Sequence, residues 1–264
     1  MSASTPSPRA AAPSLSAWVG GLLASEWTKF RSLRSTYWAL LIAAVTAVGG
    51  SAALAGPSGR QGSAFDPLAS IFVGWLEYPV LAVGILGVMT ITSEHSTGQI
   101  RTTFAAVPQR LAVLGAKTAV LGAVVLVLGE LLAFGSFFLS QALVSGGPGL
   151  SLSGAGVLRG VLAGGFTLFV IAVTGFALGV IVRHTAGAVA VLPAVVYMPL
   201  LFLALPAPWD NRVGKFTLLM AAYQATSLHP QAGLLSPAWS LVVLVAWPVT
   251  LLLIGCILVT HRDA

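Results

Sequence analysis

The chain has 264 residues, of which 57% are hydrophobic and only 8% are charged. Soluble globular proteins carry roughly 25% charged residues, so this composition excludes a soluble globular domain and indicates an integral membrane protein. The formal net charge of +6 does not indicate a nucleic-acid partner, because the basic residues flank apolar stretches and form no stripe. The single cysteine, Cys256, excludes an intrachain disulfide.

The first 35 residues precede any apolar stretch. Residues 1–14 are rich in Ser, Ala and Pro and lack the apolar core of a signal peptide, which predicts a disordered cytoplasmic tail. Residues 15–35 mix aromatic and basic side chains, and their larger apolar members fall near one side of a helical projection: Trp18, Leu22, Phe30 and Leu33. This pattern predicts an interfacial amphipathic helix in contact with membrane lipid, although a basic anchor that only sets topology explains it too. Glu26 projects close to the apolar side, where Lys29 one turn later can pair with it.

Six apolar stretches follow, each on the order of the 20 residues that cross a bilayer. They lie at residues 36–55, 67–92, 111–144, 157–182, 186–205 and 237–260. The second and third are longer than a perpendicular helix requires, which predicts tilt or protrusion beyond the lipid. The predicted fold class is therefore an all-α integral membrane protein, with a transmembrane domain of six helices over residues 36–264.

The lysines and arginines predict the orientation of these spans. If the N-terminus is inside, nine of the 13 lie on the cytoplasmic side: Arg9, Lys29, Arg31, Arg34, Arg101, Arg110, Lys117, Arg183 and Arg262. The other four lie outside: Arg60, Arg159, Arg212 and Lys215. The positive-inside rule then places both termini in the cytoplasm.

A charged, turn-rich segment, SEHSTGQIRTTFAAVPQR, separates the second and third apolar stretches at residues 93–110. Hydrocarbon cannot solvate its charges, so it lies in water, on the cytoplasmic face in the predicted orientation. Gly98 allows a sharp entry into a short helix. Ile100 and Phe104 then fall four residues apart on one face, and Arg101 can reach a carboxylate of a partner. The segment is the strongest candidate for a docking site.

The fourth stretch carries a glycine stripe. Four glycines project within about a third of the helix circumference: Gly160, Gly164, Gly175 and Gly179. Small residues on one face let another helix approach closely. We expect close packing within the subunit, in preference to a special dimer seam.

Two carboxylates lie inside apolar sequence, Glu77 in the second stretch and Glu130 in the third. Both are expected in the outer half of the bilayer, where a carboxylate is protonated, paired or in contact with water. They are candidates for a translocation path, or else they form a structural hydrogen bond between helices. The outer segment at residues 206–236 has the pattern of a short lid or re-entrant element.

Enzyme chemistry has little support in the sequence. It contains no HExxH, GxSxG or GxxxxGK[ST] motif, and its four histidines lie in separate segments. We therefore expect no catalytic residues, no cofactor and no metal site. Since the chain has no nucleotide-binding loop, any work driven by ATP needs a second polypeptide.

Two sequence blocks resemble a known family. ASEWTKFRSLRSTYW at residues 24–38 and ITSEHSTGQIRTTFAAVPQRLAVLGAK at residues 91–117 are similar to the permease subunits of type 2 ATP-binding-cassette exporters, of the kind common in high-GC Gram-positive bacteria. The layout of nearly the whole chain is similar as well. The resemblance implies a plasma-membrane transport subunit without its own ATPase site.

The resemblance also implies partners and a contact site. Two permease units work with two ATPase subunits, and a homodimer is the simplest assembly, although a sister permease can replace one copy. The loop between the second and third spans provides the coupling helix that contacts the ATPase, which here implicates Glu94, Thr97, Gly98, Ile100, Arg101, Thr102, Thr103 and Phe104. Related exporters carry drugs, antibiotics, lipids, peptides and ions, so by analogy the first expectation is multidrug or antibiotic efflux. Two alternatives stay open: an intramembrane enzyme with a carboxylate site at Glu77 and Glu130, and a non-transporting membrane anchor or sensor.

Overall fold

The computed structural model describes residues 14–58, 68, 71–72, 74–76, 78–107, 109–143, 149–202, 209–229, 231 and 233–261. These residues are mainly helical, and none of them belongs to a β-strand. The predicted disordered tail lies outside the described residues except for Ser14. The Ser14 hydroxyl accepts a hydrogen bond from the Ala17 amide at 3.3 Å and so caps the first helix.

The helices of the described ranges are, in chain order, α1 (Leu15–Ser32), α2 (Arg34–Ser58), α3 (Tyr78–Ser96), α4 (Gln99–Ala106), α5 (Arg110–Leu143), α6 (Val157–Val182), α7 (Thr185–Tyr197), α8 (Pro199–Phe202), α9 (Trp209–Gly214), α10 (Leu218–Thr226) and α11 (Pro237–His261). A 3₁₀ turn, Gly74–Leu76, precedes α3. α1 covers most of the predicted interfacial segment, and α4 lies within the loop predicted to hold a short helix.

Four of these helices are long and apolar enough to cross a membrane: α2 over Arg34–Ala53, and α5, α6 and α11 over their full lengths. They correspond to the first, third, fourth and sixth predicted spans. The described part of the chain is thus helical without strands, with several helices of membrane-crossing length and composition. The remaining two predicted spans differ from the expectation of one continuous helix each.

The predicted second span is interrupted. The 3₁₀ turn Gly74–Leu76 stands before α3, so residues 67–92 do not form a single helix. The turn is fixed by side-chain hydrogen bonds at the side of α2: Trp75 Nε1 donates to Ser51 Oγ at 3.0 Å, and that hydroxyl donates to the Ile71 carbonyl at 3.0 Å. Pro79 stands in the first turn of α3, where a missing amide donor is tolerated.

The predicted fifth span is divided by proline. α7 has 13 residues and ends at Tyr197, and α8 begins at Pro199 and has 4 residues. Met198 keeps a helical backbone, with φ −46° and ψ −32°, but Pro199 has no amide hydrogen to donate to the carbonyl four residues earlier, which interrupts the helical hydrogen bonding. Residues 203–205 of this predicted span lie outside the described part of the chain.

α6 is the central helix of the structure. Of its 18 most apolar consecutive residues 78% are buried, whereas the corresponding share is 22% in α2 and in α11. It contacts α3 most extensively, then α5 and α11. The glycines of α6 allow this close approach, since a Cβ at Gly175 would collide with the Gly84 carbonyl of α3.

The helices meet differently at the two ends of the assembly. We call one the α4 end; it gathers α1, α4, the first turns of α5 and the last turns of α6 and α11. We call the other the α10 end, where α10 lies against the first turn of α6. There, Arg159 donates from Nη1 to the Ala225 carbonyl at 2.5 Å and from Nη2 to the Ser227 carbonyl at 2.8 Å.

Candidate functional site

α4 leaves the end of α3 through a tight turn. Gly98 has φ +73°, a left-handed conformation that glycine adopts without a steric penalty. No atom lies within 4 Å of the place where a Cβ at Gly98 would stand, so the backbone conformation, and not space, calls for glycine here. The Gly98 carbonyl accepts from the Arg101 amide at 3.2 Å, which starts the new helix at once. The predicted sharp entry at Gly98 is confirmed.

One side of α4 is buried against the rest of the chain, and the other side is exposed. Ile100 is only 5% exposed and lines the same cavity as Ile91 of α3 and Leu114 of α5, whereas Arg101 and Thr102 are exposed. Ile100 therefore anchors the helix to its own chain. The sequence placed Ile100 and Phe104 on one face and both among the residues that contact the ATPase. Ile100 is instead buried within its own chain, and the side chain of Phe104 lies outside the described residues.

A cluster of four charged side chains, three buried and one partly exposed, lies beside α4. Lys117 of α5 donates from Nζ to Glu26 Oε2 of α1 at 2.6 Å and to Glu94 Oε1 of α3 at 2.7 Å. Lys29 of α1 stands 3.0 Å from Glu26 Oε1 and 3.2 Å from Glu94 Oε1. Two carboxylates and two ammonium groups compensate one another, so the cluster holds no net charge. We call these four residues the charge cluster.

Burial differs sharply between the two lysines of the charge cluster. The side chain of Lys117 is 2% exposed and that of Lys29 is 40% exposed. Burial alone lowers the pKa of Lys29, but its hydrogen bond to Glu26 and the charges of Glu94 and Glu26 outweigh this, and the pKa rises above the ordinary 10.5. Because it is partly exposed, Lys29 can exchange its carboxylate partners for water. The charge of Lys117 is compensated only by the two carboxylates, since water does not reach it.

The charge cluster reaches α4 itself. Lys29 Nζ lies 3.4 Å from Thr103 Oγ1, which is a weak hydrogen bond across 74 residues of sequence. Glu94 lies four residues before Gly98, in the last turn of α3. Its second oxygen, Oε2, is buried and has no hydrogen-bond partner among the described residues. The last turn of α3, from which α4 begins, is thus bound through Glu94 to the buried lysine Lys117 and to Lys29.

The eight predicted coupling residues are therefore not equivalent. Four are exposed: Thr97, Gly98, Arg101 and Thr102. Thr103 is half-buried, and Ile100 and Glu94 are buried at 5% exposure each. Glu94 is engaged by two lysines of its own chain, and the side chain of Phe104 lies outside the described residues. Among the described coupling residues, the exposed four are the surface that a partner can contact.

Arginines line a cavity at the α4 end. It has a volume of about 390 Å³ and brings together Arg101, Arg110, Arg183 and His95. Arg110 Nη1 also donates to the Val259 carbonyl of α11 at 3.1 Å, and the His95 Nδ1–H donates to the carbonyl of the preceding turn at 3.1 Å. No acidic residue is among the described residues that line this cavity. Its chemistry suits an anionic group such as a carboxylate of a partner.

The two carboxylates predicted in the spans have separate outcomes. Glu77 lies outside the described residues. Glu130 of α5 stands against α6, since a Cβ at Gly165 would lie 2.7 Å from its carboxyl carbon. Its Oε2 is buried without a hydrogen-bond partner among the described residues. The structure does not bring Glu130 into the charge cluster.

All four glycines of the predicted stripe lie against neighbouring segments. A Cβ at Gly160 would meet Leu68 and the carbonyl of Thr226, and one at Gly164 would meet Phe72. Gly175 and Gly179 lie against α3. The stripe is therefore occupied by contacts within the chain.

Lys117 is the residue that the sequence reading missed, because it was counted only among the charges that set orientation. Two signals pointed to it. Lys117 lies within a long apolar stretch, where a lysine needs a carboxylate, and Glu26 lies near the apolar side of α1, where a carboxylate needs a cation. The predicted Glu26–Lys29 pair is confirmed at 3.0 Å, but it is only one edge of the charge cluster.

Metal ligation has no site among the described residues, where no three His, Cys, Asp or Glu side chains group together. Comparison of the chain with models of known protein families and with curated proteins gave no match.

Proposed function

We propose that the chain is the membrane-spanning permease subunit of an ATP-binding-cassette transporter, with ATP hydrolysed by a separate ATPase subunit. The resemblance of residues 24–38 and 91–117 to type 2 exporters supports this function, together with several helices of membrane-crossing length. The chain itself contributes no nucleotide-binding loop.

The observation that carries the proposal is the form of α4. It is a short helix set off by a glycine turn, anchored through Ile100 and exposed at Arg101 and Thr102. A coupling element needs both properties, because it must bind a partner on one side and pass motion to the spans on the other. A loop that only joined two spans would need neither.

The proposed topology has six spans in the plasma membrane and both termini in the cytoplasm. α2, α5, α6 and α11 are four of the spans. The segment at residues 67–92, with its 3₁₀ turn and α3, is the second, and the segment at residues 186–205, with α7 and α8, is the fifth. Interrupted helices are tolerated inside a bundle when neighbouring segments satisfy their backbone groups.

The proposed assembly contains two permease chains and two ATPase subunits. A homodimer is the simplest form, since one chain of six spans is half of such a pore. The proposed cargo is a drug or antibiotic, with lipids and peptides as the other classes that related exporters carry. This choice of substrate rests on the resemblance alone.

Capture of the ATPase tests the proposal. The chain is co-expressed with each ATP-binding-cassette ATPase subunit encoded in the same genome and purified from detergent, as wild type and with Arg101→Glu. Reversing an interface charge typically lowers affinity about tenfold or more, so we expect the variant to insert normally and to capture far less ATPase.

Arg212→Glu is the matched control, because it reverses an exposed arginine on another short helix, α9. It should capture the ATPase as the wild type does. Equal capture by all three proteins would remove α4 as the coupling helix. Absence of capture even by the wild type would refute the permease assignment itself.

A further inference from the structure

We propose that Lys117 is a positioning residue: by binding Glu26 and Glu94 together it fixes α1 and the start of α4 relative to α5. The consequence for docking rests on the proposed function, whereas the positioning itself concerns this chain alone. None of the sites predicted from the sequence includes Lys117.

A single ammonium group joins three helices here. Nζ of Lys117 lies 2.6 Å from a carboxylate of α1 and 2.7 Å from a carboxylate of α3. An ammonium group has three donors, and two of them are directed at different helices. Because the side chain is 2% exposed, water cannot take the place of either carboxylate. One ammonium group therefore fixes α1 and the last turn of α3, from which α4 begins, relative to α5.

Among the described residues, few direct contacts hold α1 and α4 together. A cavity of about 450 Å³ lies between them, lined by Phe30 and Ser32 of α1 and by Gln99 and Thr102 of α4, with the charge cluster also in its wall. An open cavity has no interdigitating side chains to set a distance between helices. The ion pairs span this space, and Lys29 adds its bond to Thr103 Oγ1 at 3.4 Å.

Charged contacts are suited to fixing the positions of helices relative to one another. Charge-assisted hydrogen bonds are shorter and stronger than neutral ones, and each fixes a donor to an acceptor. Lys117 lies in the second turn of α5, a helix that runs for 34 residues into the apolar part of the chain. A displacement of α4 therefore reaches α5 through the adjoining last turn of α3, where Glu94 binds Lys117, and reaches α1 through the same ammonium group.

The experiment separates positioning from folding. Lys117→Met alone leaves two buried carboxylates short of a cation, and this variant can fail to fold for that reason. The triple variant Glu26→Gln, Glu94→Gln, Lys117→Met removes both carboxylates and the cation together, keeps the side-chain volumes similar and leaves no buried charge. It is therefore expected to fold while lacking the directed ties.

The measured quantity is the distance between α1 and α4. Cysteines at Ser25 and Ala105, both exposed, carry spin labels in a Cys256→Ala background. Double electron–electron resonance then gives the distance distribution in purified protein of normal helix content. We expect one narrow distribution with the charge cluster intact, and a distribution broadened about twofold or more in the triple variant. Lys29→Met is the matched control, with a smaller broadening because that lysine is partly exposed.

An unchanged distribution in the folded triple variant overturns the proposal. ATPase capture by the same proteins distinguishes its failure from that of the proposed function. If the distribution broadens and capture falls about tenfold, the positioning sets docking as proposed. If it broadens and the wild type captures no ATPase, the proposed function fails while the positioning stands. If it broadens and the triple variant captures ATPase as well as the wild type, the link to docking is wrong.

Discussion

The two ends of the helix assembly are held together by different chemistry. At the α4 end, the side chains of three helices meet in ion pairs around Lys117, and a cavity of about 450 Å³ lies beside them. At the α10 end, Arg159 binds two backbone carbonyls, and Gly160 lies directly against Leu68 and the carbonyl of Thr226. One end depends on matched charges and the other on backbone contact.

This difference separates an adjustable end from a fixed one. A contact between a glycine and a neighbouring backbone has no alternative arrangement, because any shift opens a void or produces a collision. Ion pairs at the side of a cavity can lengthen or exchange partners, above all through Lys29, which is 40% exposed. The proposed coupling helix lies at the adjustable end, where motion can enter the assembly with the least repacking.

The largest expected effect is at the α4 end. Lys117→Met leaves the buried carboxylates of Glu26 and Glu94 with Lys29 alone, and breaking a buried ion pair costs about 3–5 kcal/mol. We expect the yield of monodisperse protein and its thermal stability in detergent to fall sharply. The triple variant Glu26→Gln, Glu94→Gln, Lys117→Met should recover most of the loss, and a triple variant as unstable as the single one would contradict this account.

Glycine packing between α3 and α6 should give the next largest effect. Gly175→Ala places a methyl group into the Gly84 backbone, and overpacking of this kind costs about 1–3 kcal/mol. Gly135→Ala is the control, because no atom lies within 4 Å of its Cβ position and alanine favours a helix. Thermal unfolding of both variants measures the difference. Equal stability of the two would mean that α3 and α6 can separate without cost.

Arg159→Met should loosen the α10 end locally. It removes two hydrogen bonds from a half-buried donor to the end of α10. Because water can replace part of them, the expected loss is about 1–1.5 kcal/mol. Amide hydrogen exchange in α10 should accelerate about tenfold or more while exchange in α4 stays unchanged. Arg159→Lys should lie between the two, since lysine lacks the forked geometry. Faster exchange at both ends would show that the ends are not independent.

Local rules predicted a good part of this fold. The short helix α4 followed from Gly98 and from charges that cannot enter hydrocarbon. α5, α6 and α11 followed from apolar length, and the glycine positions of α6 followed from helical periodicity. In each case the information lies within one turn or one segment of the chain, which is the range over which such patterns operate.

The remaining features depend on partners far away in sequence. Lys117 binds Glu26 across 91 residues and Glu94 across 23, and no periodicity connects them. The inward position of Ile100 was missed because helical spacing gives a shared face but not its direction. The break at Gly74–Leu76 was missed because apolar residues of a 3₁₀ turn and of an α-helix have the same hydropathy, and the hydrogen bond between Trp75 and Ser51 decides between them.

The smallest expected effect is a pH dependence that belongs to the α4 end alone. The pKa of Lys29 is raised above 10.5 in the folded protein, chiefly because its bond to Glu26 and the nearby carboxylates outweigh burial. A raised pKa means that folding favours the charged lysine, so its contribution is complete below the unfolded-state value of about 10.4 and is lost as the pH rises through the folded value. Thermal stability of the wild type should therefore fall more steeply than that of Lys29→Met above about pH 10. Because Lys29 is partly exposed, the difference should be small and should shrink with added salt. Parallel stability curves for the two proteins would show that Lys29 contributes nothing to the charge cluster in solution, and that the cluster rests on Lys117 alone.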